Sequence, residues 1–292
     1  MSDRESRLAR WPTLTLEVPE DCEDSLVGRL SGAVVGVERR ASTAGRCRLV
    51  LCLPDGADVD AVEAEALAAL ASAGVDRDRF EVRRDVVEDG RWVERYVEGL
   101  RPFALGRRFA ILPGTDGLPG ALAGRVGLRL VPGRAFGTGE HATTRLCAGA
   151  LEDVVRPRSR WIDVGCGTGV LAIVARHCGA AEALALDTDA EAVAVARDVL
   201  RANGISSVRV VVGSLGTVRP GSWDGVVANV SANFARSEAR AIATALRPGG
   251  RAIISGFLDE DVAEIEARAR AAGLRPVGRR TDGEWRAIVA VA

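Results

Sequence analysis

Several residue types are rare or missing in this chain of 292 residues. It has no lysine and no glutamine, and it contains one methionine, one tyrosine and two histidines. No stretch of eighteen apolar residues occurs and the first residues lack a secretory-leader pattern, so we expect a cytoplasmic protein that does not enter membranes. The six cysteines form no C-x-x-C pair. Together with the scarcity of histidine, this argues against a zinc site, and no metal ligands are assigned.

One hydrophobic run ends in three closely spaced glycines. Residues 161–164 are typical of a buried strand, Gly165, Gly167 and Gly169 follow, and a helical pattern begins at Val170. Glycine lacks a Cβ, so its backbone turns sharply and approaches a ligand, while the first amides of the next helix attract negative groups. A dinucleotide turn has the spacing G-x-G-x-x-G, but the last position here is Val170. The spacing D-x-G-x-G-x-G resembles that of S-adenosylmethionine enzymes instead.

An acidic residue follows the next predicted strand. Asp187 comes directly after residues 182–186 and lies 22 positions beyond Gly165. A carboxylate at the end of this strand is suited to accept hydrogen bonds from two ribose hydroxyls. Cys166 lies within the glycine turn, where we interpret it as a tolerated small residue and not as a nucleophile. The turn and the acid together predict a nucleoside site.

The first ninety residues have their own pattern of elements. The strand-like runs are 13–18, 33–39, 46–53 and 80–87, and the helix-like runs are 20–30 and 58–73. The order β-α-β-β-α-β predicts a ferredoxin-like α+β module. Residues 1–90 carry 12 Arg against 19 Asp and Glu, a net charge of −7, and the rest of the chain carries +6. This acidic part either attracts a basic partner or is simply a solvated surface.

The remainder of the chain alternates strands and helices. In residues 89–131 the strand-like runs 109–112 and 127–131 are separated by prolines and glycines, which favour loops. Strands are then expected at 161–164, 182–186, 207–212, 223–228 and 251–256, with closing strands at 274–280 and 285–291. Helices are expected at 169–178, 189–203, 233–246 and 259–272. The predicted domains are 1–88, a linker with connecting strands at 89–131, and 132–292.

Five parallel strands that end in an antiparallel hairpin are typical of the seven-stranded class I methyltransferase sheet, which is Rossmann-like. Two further segments agree, namely the glycine-rich loop 132–144 and the run Asn-Val-Ser-Ala-Asn at 229–233. With these motifs the chain closely resembles the PrmA family, whose members methylate ribosomal protein L11. The family typically has Phe-Gly-Thr-Gly-Thr-His-Pro-Thr-Thr in the loop and Asn-Ile-Leu-Ala-Asn after the fourth strand. The resemblance also covers 92–113, 255–258 and 283–285.

The resemblance implies a set of residues that bind S-adenosylmethionine. They are Thr144, Gly165, Gly167, Asp187, Asn229, Phe136, Gly137 and Thr138. The last three match a loop that we expect to cover the cofactor. Other interpretations stay open: Thr144 as a helix N-terminal residue, Phe136 as a core aromatic and Asn229 as a turn residue. We interpret His141 as ordering the loop and not as a general base, and we assign no catalytic residue.

The implied reaction is methyl transfer to amines, either lysine side chains or an N-terminal amine, of a basic protein that is most simply a large-subunit ribosomal protein. A small-molecule methyltransferase, a binding module without turnover and, less favoured, a nucleic-acid methyltransferase are the alternatives. The chain departs from the family pattern at Glu140, Ala142 and Ser231. These positions are expected where a substrate approaches, so the departures concern the substrate and remove none of the implied cofactor contacts. We expect a monomer.

Overall fold

The structure is a computed structural model. It describes residues 11–19, 30, 34, 36–41, 46–53, 57–72, 75–87, 101–113, 117–130, 139 and 141–292. The chain divides into two compact units, Met1–Gly99 and Leu100–Ala292. The finer division of the chain at residues 88 and 131 remains a prediction.

The described part of the first unit contains an antiparallel sheet and a helix. Its elements are β1 (Trp11–Pro19), β2 (Gly36–Ala41), β3 (Arg46–Cys52), α1 (Val59–Ser72) and β4 (Glu81–Val87). The strand order is β2-β3-β1-β4, with every neighbouring pair antiparallel. The predicted helix 20–30 lies outside the described residues except for Leu30, so the complete ferredoxin-like module remains a prediction.

The core of the first unit follows from strand periodicity. Alternate side chains of β1 point to the same face of the sheet, and Leu14, Leu16 and Val18 are fully buried there. One face of α1 completes this core with Val62 and Ala66. The hydrophobic pattern of the sequence therefore fixes which face of the sheet the helix covers.

A small three-stranded sheet opens the second unit. It consists of β5 (Phe103–Leu105), β6 (Phe109–Leu112) and β7 (Val126–Arg129), with β5 antiparallel and β7 parallel to β6. The strands predicted at 109–112 and 127–131 correspond to β6 and β7, whereas β5 was not predicted. The prolines and glycines that suggested loops lie between β6 and β7 and so do not interrupt either strand.

A seven-stranded sheet forms the centre of the second unit. Its strands are β8 (Arg160–Val164), β9 (Glu182–Asp187), β10 (Val208–Val212), β11 (Trp223–Asn229), β12 (Leu246–Leu258), β13 (Arg275–Asp282) and β14 (Trp285–Val291). The order is β10-β9-β8-β11-β12-β14-β13. The first five are parallel and β14 is antiparallel to both of its neighbours. The predicted class I methyltransferase sheet is confirmed.

Helices cover this sheet on both faces. They are α2 (Ala142–Val154), α3 (Val170–His177), α4 (Ala190–Ala202), α5 (Ala232–Ser237), α6 (Ala239–Ala245) and α7 (Val262–Ala271). The single helix predicted at 233–246 was wrong, because the backbone of Glu238 (φ −97°, ψ 3°) leaves the helical region and separates α5 from α6. Hydrophobic periodicity alone does not reveal such a break. The fifth strand also begins earlier than predicted, at Leu246.

Neighbouring residues of the central strands belong to different cores. Trp161 packs with residues of α2, α3 and α4 on one face, whereas Ile162 packs with residues of α5, α6 and α7 on the other. Parallel strands that are covered on both faces need apolar residues at nearly every position. This explains the almost continuous hydrophobic runs that made these strands recognisable in the sequence.

The strand order identifies the edge of the sheet at which ligands bind in folds of this kind. From β8 the chain proceeds outwards through β9 to β10, and it then returns to lie on the opposite side of β8 as β11. In open α/β sheets, ligands bind at the carboxyl ends of the strands at such a reversal. The residues that follow β8, β9 and β11 therefore border the expected crevice.

Candidate functional site

The glycine turn connects β8 directly to α3. Gly165, Gly167 and Gly169 have φ values of 63°, 51° and 75°, a region that is costly for side chains with a Cβ. A Cβ on Gly165 would lie 2.6 Å from Cγ2 of Val230, which follows β11. Gly165 therefore allows the ends of β8 and β11 to approach each other at the reversal point.

Asp163 supports the turn from within the sheet, although it was not among the residues predicted to form the site. Its side chain is 3% exposed, and its Oδ2 accepts a hydrogen bond from the backbone amide of Ala172 at 3.0 Å. Gly169, at the N-cap of α3, has no side chain to cap the helix, so Asp163 supplies the missing acceptor. Burial raises the pKa of Asp163 well above its usual range, and the charge of Asp187 adds to this effect. The acidic first position of D-x-G-x-G-x-G was the available signal.

Asp187 joins the end of β9 to the glycine turn. Its Oδ2 accepts from the amide of Gly167 at 3.0 Å, and its Oδ1 accepts from the amide of Asp189 at 3.0 Å. A carboxylate has about four lone-pair sites. Each oxygen of the half-buried Asp187 therefore keeps acceptor capacity for a ligand, in the orientation that the two amides impose.

Asn229 and Thr144 come from distant parts of the sequence and meet at the crevice. Asn229 ends β11, and its Nδ2 donates to Oγ1 of Thr144 at 3.2 Å. Thr144 lies in the first turn of α2 and is 4% exposed. Its position in a helix and its position at the crevice are compatible, since the first turn of α2 faces the end of β11. The sequence predicted both residues without predicting this contact.

His141 is the N-cap of α2. Its Nδ1 accepts from the amide of Thr143 at 3.4 Å and lies 2.7 Å from Oγ1 of the same residue. The imidazole also lies edge-on to the indole of Trp285, with ring centroids 4.5 Å apart. These contacts agree with the interpretation that His141 orders this segment.

A bulge in β12 shapes the segment that follows Asn229. The register with β14 shifts at Gly256, whose φ is +96°. A Cβ at this position would lie 2.7 Å from the carbonyl carbon and oxygen of Val230. Ser231 then begins α5, and its Oγ accepts from the amide of Phe234 at 3.2 Å. Ser231 thus has a capping role that the leucine of the family pattern does not provide.

The cysteines of this region are poor nucleophiles. Burial raises the pKa of the Cys166 thiol, and the nearby carboxylates of Asp163 and Asp187 raise it further. Cys147 in α2 is fully buried, and burial raises its pKa as well. Since the thiolate is the reactive form, neither cysteine is suited to covalent chemistry.

The structure brings together five of the eight residues predicted to bind the cofactor. Thr144, Gly165, Gly167, Asp187 and Asn229 lie at or contact the carboxyl ends of β8, β9 and β11. Residues 136–138 lie outside the described ranges. Within those ranges, no cluster of three or more His, Cys, Asp or Glu side chains has the arrangement of a metal site. None of the helices described is long and apolar enough to cross a bilayer.

Comparison with known proteins identifies the family to which this chain is similar. Residues 50–292 match the family model of ribosomal protein L11 methyltransferase (PrmA). A ribosomal protein L11 methyltransferase of Symbiobacterium thermophilum is 37% identical over 212 residues, which are 70% of this chain and 68% of that protein. The protein of the same name from Dechloromonas aromatica is 37% identical over 215 residues, covering 74% and 70%.

The fold comparison agrees with the sequence comparison. The crystal structure of a ribosomal protein L11 methylase from Lactobacillus delbrueckii subsp. bulgaricus superposes with a TM-score of 0.60 at 27% identity. The match covers 65% of this chain and 97% of that one. The glycine turn, Asp187 and the Asn229–Thr144 pair lie within the matched residues 50–292. The chain therefore belongs to the ribosomal protein L11 methyltransferase (PrmA) family.

Proposed function

We propose that this protein transfers methyl groups from S-adenosylmethionine to amines of ribosomal protein L11. The observation that carries the proposal is that Asp187, the glycine turn and the Asn229–Thr144 pair meet at one reversal point. The family and the names of the relatives support the same activity.

The residues of the crevice fit the proposed cofactor. Asp187 retains acceptor capacity suited to two ribose hydroxyls, and the backbone at Gly165 and Gly167 has no Cβ to keep a ligand away. Thr144 and Asn229 stand at the ends of two other elements that border the same space. We propose that these five residues, together with the loop residues Phe136, Gly137 and Thr138, hold the cofactor.

When bound, S-adenosylmethionine supplies a methyl group activated by its sulfonium. The protein then has to align the lone pair of an amine with that methyl group and exclude water. An amine with a pKa of about 10.4 must first lose its proton, which costs about 4 to 5 kcal/mol at neutral pH. Nδ2 of Asn229 donates to Thr144, and we propose that Oδ1 of Asn229 accepts a hydrogen bond from the amine. Desolvation lowers this cost because it disfavours the charged ammonium form, whereas the contact with Asn229 orients the amine.

The acceptor groups are lysine side chains, an N-terminal amine, or both. A basic ribosomal protein is attracted by the −7 charge of residues 1–90, since opposite charges increase the rate of encounter. We propose that the first unit supplies this attraction, and that the protein acts in the cytoplasm as a monomer. Methylation of a small molecule or of another protein is the alternative, and the names of the relatives do not favour it.

The test is methyl transfer from labelled S-adenosylmethionine by the purified full chain. Free ribosomal protein L11, intact ribosomes and a metabolite extract serve as separate acceptors, and mass spectrometry identifies the modified groups. We expect label on lysine or N-terminal amines of the free protein. Label only in the metabolite fraction would support the alternative, and cofactor binding without any transfer would support a module that only binds.

Two variants compare neighbouring carboxylates in this assay. Asp187→Ala removes the proposed ribose acceptor, and we expect cofactor affinity to fall by at least about tenfold, since hydrogen bonds to a charged group contribute about 1.5 to 3 kcal/mol each. Asp189→Ala removes only the N-cap of α4, whose Oδ1 accepts from the amide of Glu191. That variant loses about 1 kcal/mol of stability and keeps its affinity. Equal affinities for the two variants would contradict the assignment of Asp187.

A further inference from the structure

The C-terminal hairpin reaches the first turn of α2, which carries Thr144. The indole of Trp285 lies edge-on to the imidazole of His141, with centroids 4.5 Å apart and an interplanar angle of 71°. His141 in turn caps α2 through the amide of Thr143. An edge-to-face contact between aromatic rings favours a defined ring orientation. Trp285 therefore contacts His141, the N-cap residue of α2.

Two further contacts connect the same turn to the hairpin. Nε of Arg145 donates to Oδ2 of Asp282 at 2.8 Å, and its Nη2 lies 2.8 Å from the same oxygen. The next residue, Leu146, packs with Trp285 and Ala287 in a small apolar cluster that is separate from the two large cores. The hairpin thus contacts α2 by a ring contact, an ion pair and apolar packing within six residues of sequence.

The opposite side of this turn contacts the crevice. Oγ1 of Thr144 accepts from Asn229, and the amide of Thr144 donates to the carbonyl oxygen of His141 at 3.0 Å. The first turn of α2 therefore lies between the hairpin and the end of β11. Trp285 is itself fixed, because it is 6% exposed and pairs with Leu258 of β12 and with Asp282 of β13.

We propose that Trp285 is a positioning residue of the cofactor site, with Asp282 as its partner on the hairpin. Through His141 and Arg145 these residues hold the first turn of α2 so that Thr144 meets Asn229. This inference rests on the proposed function, because it assigns a role in cofactor binding to residues that lie outside the crevice. The hairpin is then part of the binding site in addition to being the edge of the sheet.

Substitutions at Trp285 test the proposal against a matched tryptophan. Trp223 is also buried, at 3% exposure, but it begins β11 at the end of the strand remote from Asn229. We expect Trp285→Leu to weaken cofactor binding by about three- to tenfold, the equivalent of one lost aromatic pair. Trp285→Phe, which keeps an aromatic ring, is expected to retain most of the cofactor affinity. The cofactor affinity of Trp223→Leu is expected to stay within about twofold of that of the unchanged chain. Asp282→Asn is expected to weaken binding by less than Trp285→Leu.

A second measurement separates this proposal from the proposed function. Hydrogen exchange of the Thr144 amide, measured without cofactor, reports on the first turn of α2 directly. We expect faster exchange in Trp285→Leu than in Trp223→Leu, with circular dichroism confirming that both are folded. Equal exchange in these two variants would overturn the positioning role. If the unchanged chain failed to bind S-adenosylmethionine, the proposed function would fall, while the exchange comparison would still decide whether Trp285 orders α2.

Discussion

At the scale of single residues, Gly165 satisfies two structural constraints that an alanine at this position would violate. Its φ of 63° lies in the left-handed region, and the added Cβ would lie 2.6 Å from a methyl group of Val230. The first constraint concerns only the backbone. The second concerns the distance between the ends of β8 and β11, and hence the shape of the crevice.

The variant Gly165→Ala tests these two constraints against Gly221→Ala. Gly221 has the same φ of 63°, but nothing lies within 4 Å of the position of its Cβ. We expect both variants to lose about 1 to 2 kcal/mol of stability from backbone strain. Only Gly165→Ala should also weaken S-adenosylmethionine binding, as measured by calorimetry. A similar loss of affinity in Gly221→Ala would show that the contact with Val230 is irrelevant.

The carboxyl group of Asp163 gives the stability of the protein a pH dependence. Burial raises its pKa in the folded state, whereas an unfolded aspartate has a pKa of about 3.9. As the pH rises above the unfolded value, the unfolded chain loses a proton that the folded chain keeps. The contribution of this group therefore favours folding at low pH and is lost as the pH rises through the folded pKa.

The neutral variant Asp163→Asn should lack this dependence. An asparagine oxygen still accepts from the amide of Ala172, but it does not titrate. We expect the stability of the variant relative to the unchanged chain to increase as the pH is raised from about 4 to about 8. Urea unfolding of both proteins at several pH values measures this difference. A difference that stays constant over the range would contradict the assignment.

At the scale of elements, the bulge in β12 lies against the segment that follows Asn229. Gly256 interrupts the register between β12 and β14 and approaches the backbone that follows Asn229. Bulges often redirect a strand beside a functional site. Here the bulge leaves room for the carbonyl group of Val230, which lies on the short segment between β11 and α5.

Gly256→Ala and Gly273→Ala form a second matched pair. Their φ values are 96° and 93°, but only at Gly256 would a Cβ meet backbone atoms. We expect the strain to destabilise both variants by about 1 to 2 kcal/mol. A further loss of melting temperature and weaker cofactor binding should appear only in Gly256→Ala, because the segment after Asn229 must move. Thermal unfolding and calorimetry of the two variants provide the comparison.

At the scale of the whole molecule, charge is divided unevenly along the chain. Residues 1–90 carry −7 and residues 91–292 carry +6. Salt screens long-range attraction between proteins but has less effect on a small ligand held by short contacts. A basic protein acceptor and the cofactor should therefore respond differently to ionic strength.

Steady-state kinetics at increasing salt concentration test this difference. We expect KM for ribosomal protein L11 to rise by several-fold between about 0.05 M and about 0.3 M salt, while cofactor affinity changes by less than about twofold. An acceptor KM that does not depend on salt would mean that the acidic residues are only a solvated surface. Parallel weakening of both ligands would point to a general effect of salt on the protein.

The amino-acid sequence by itself determined the class of the seven-stranded fold and the position of its glycine turn. Nearly continuous hydrophobic runs specify strands that are buried on both faces, and the spacing of Gly165, Gly167 and Gly169 specifies a turn. Because these features are local, they are recognisable in the amino-acid sequence alone. Local patterns did not reveal the break at Glu238, because helical periodicity continues across it.

Only the tertiary structure decided which distant residues meet. Asn229 contacts Thr144 across 85 positions of sequence, and Trp285 contacts His141 although neither belongs to the glycine turn. Such contacts depend on the order of strands in the sheet and on where α2 packs. Sequence patterns report the environment of each segment, whereas the reversal of strand order between β8 and β11 determines which segment ends share a crevice.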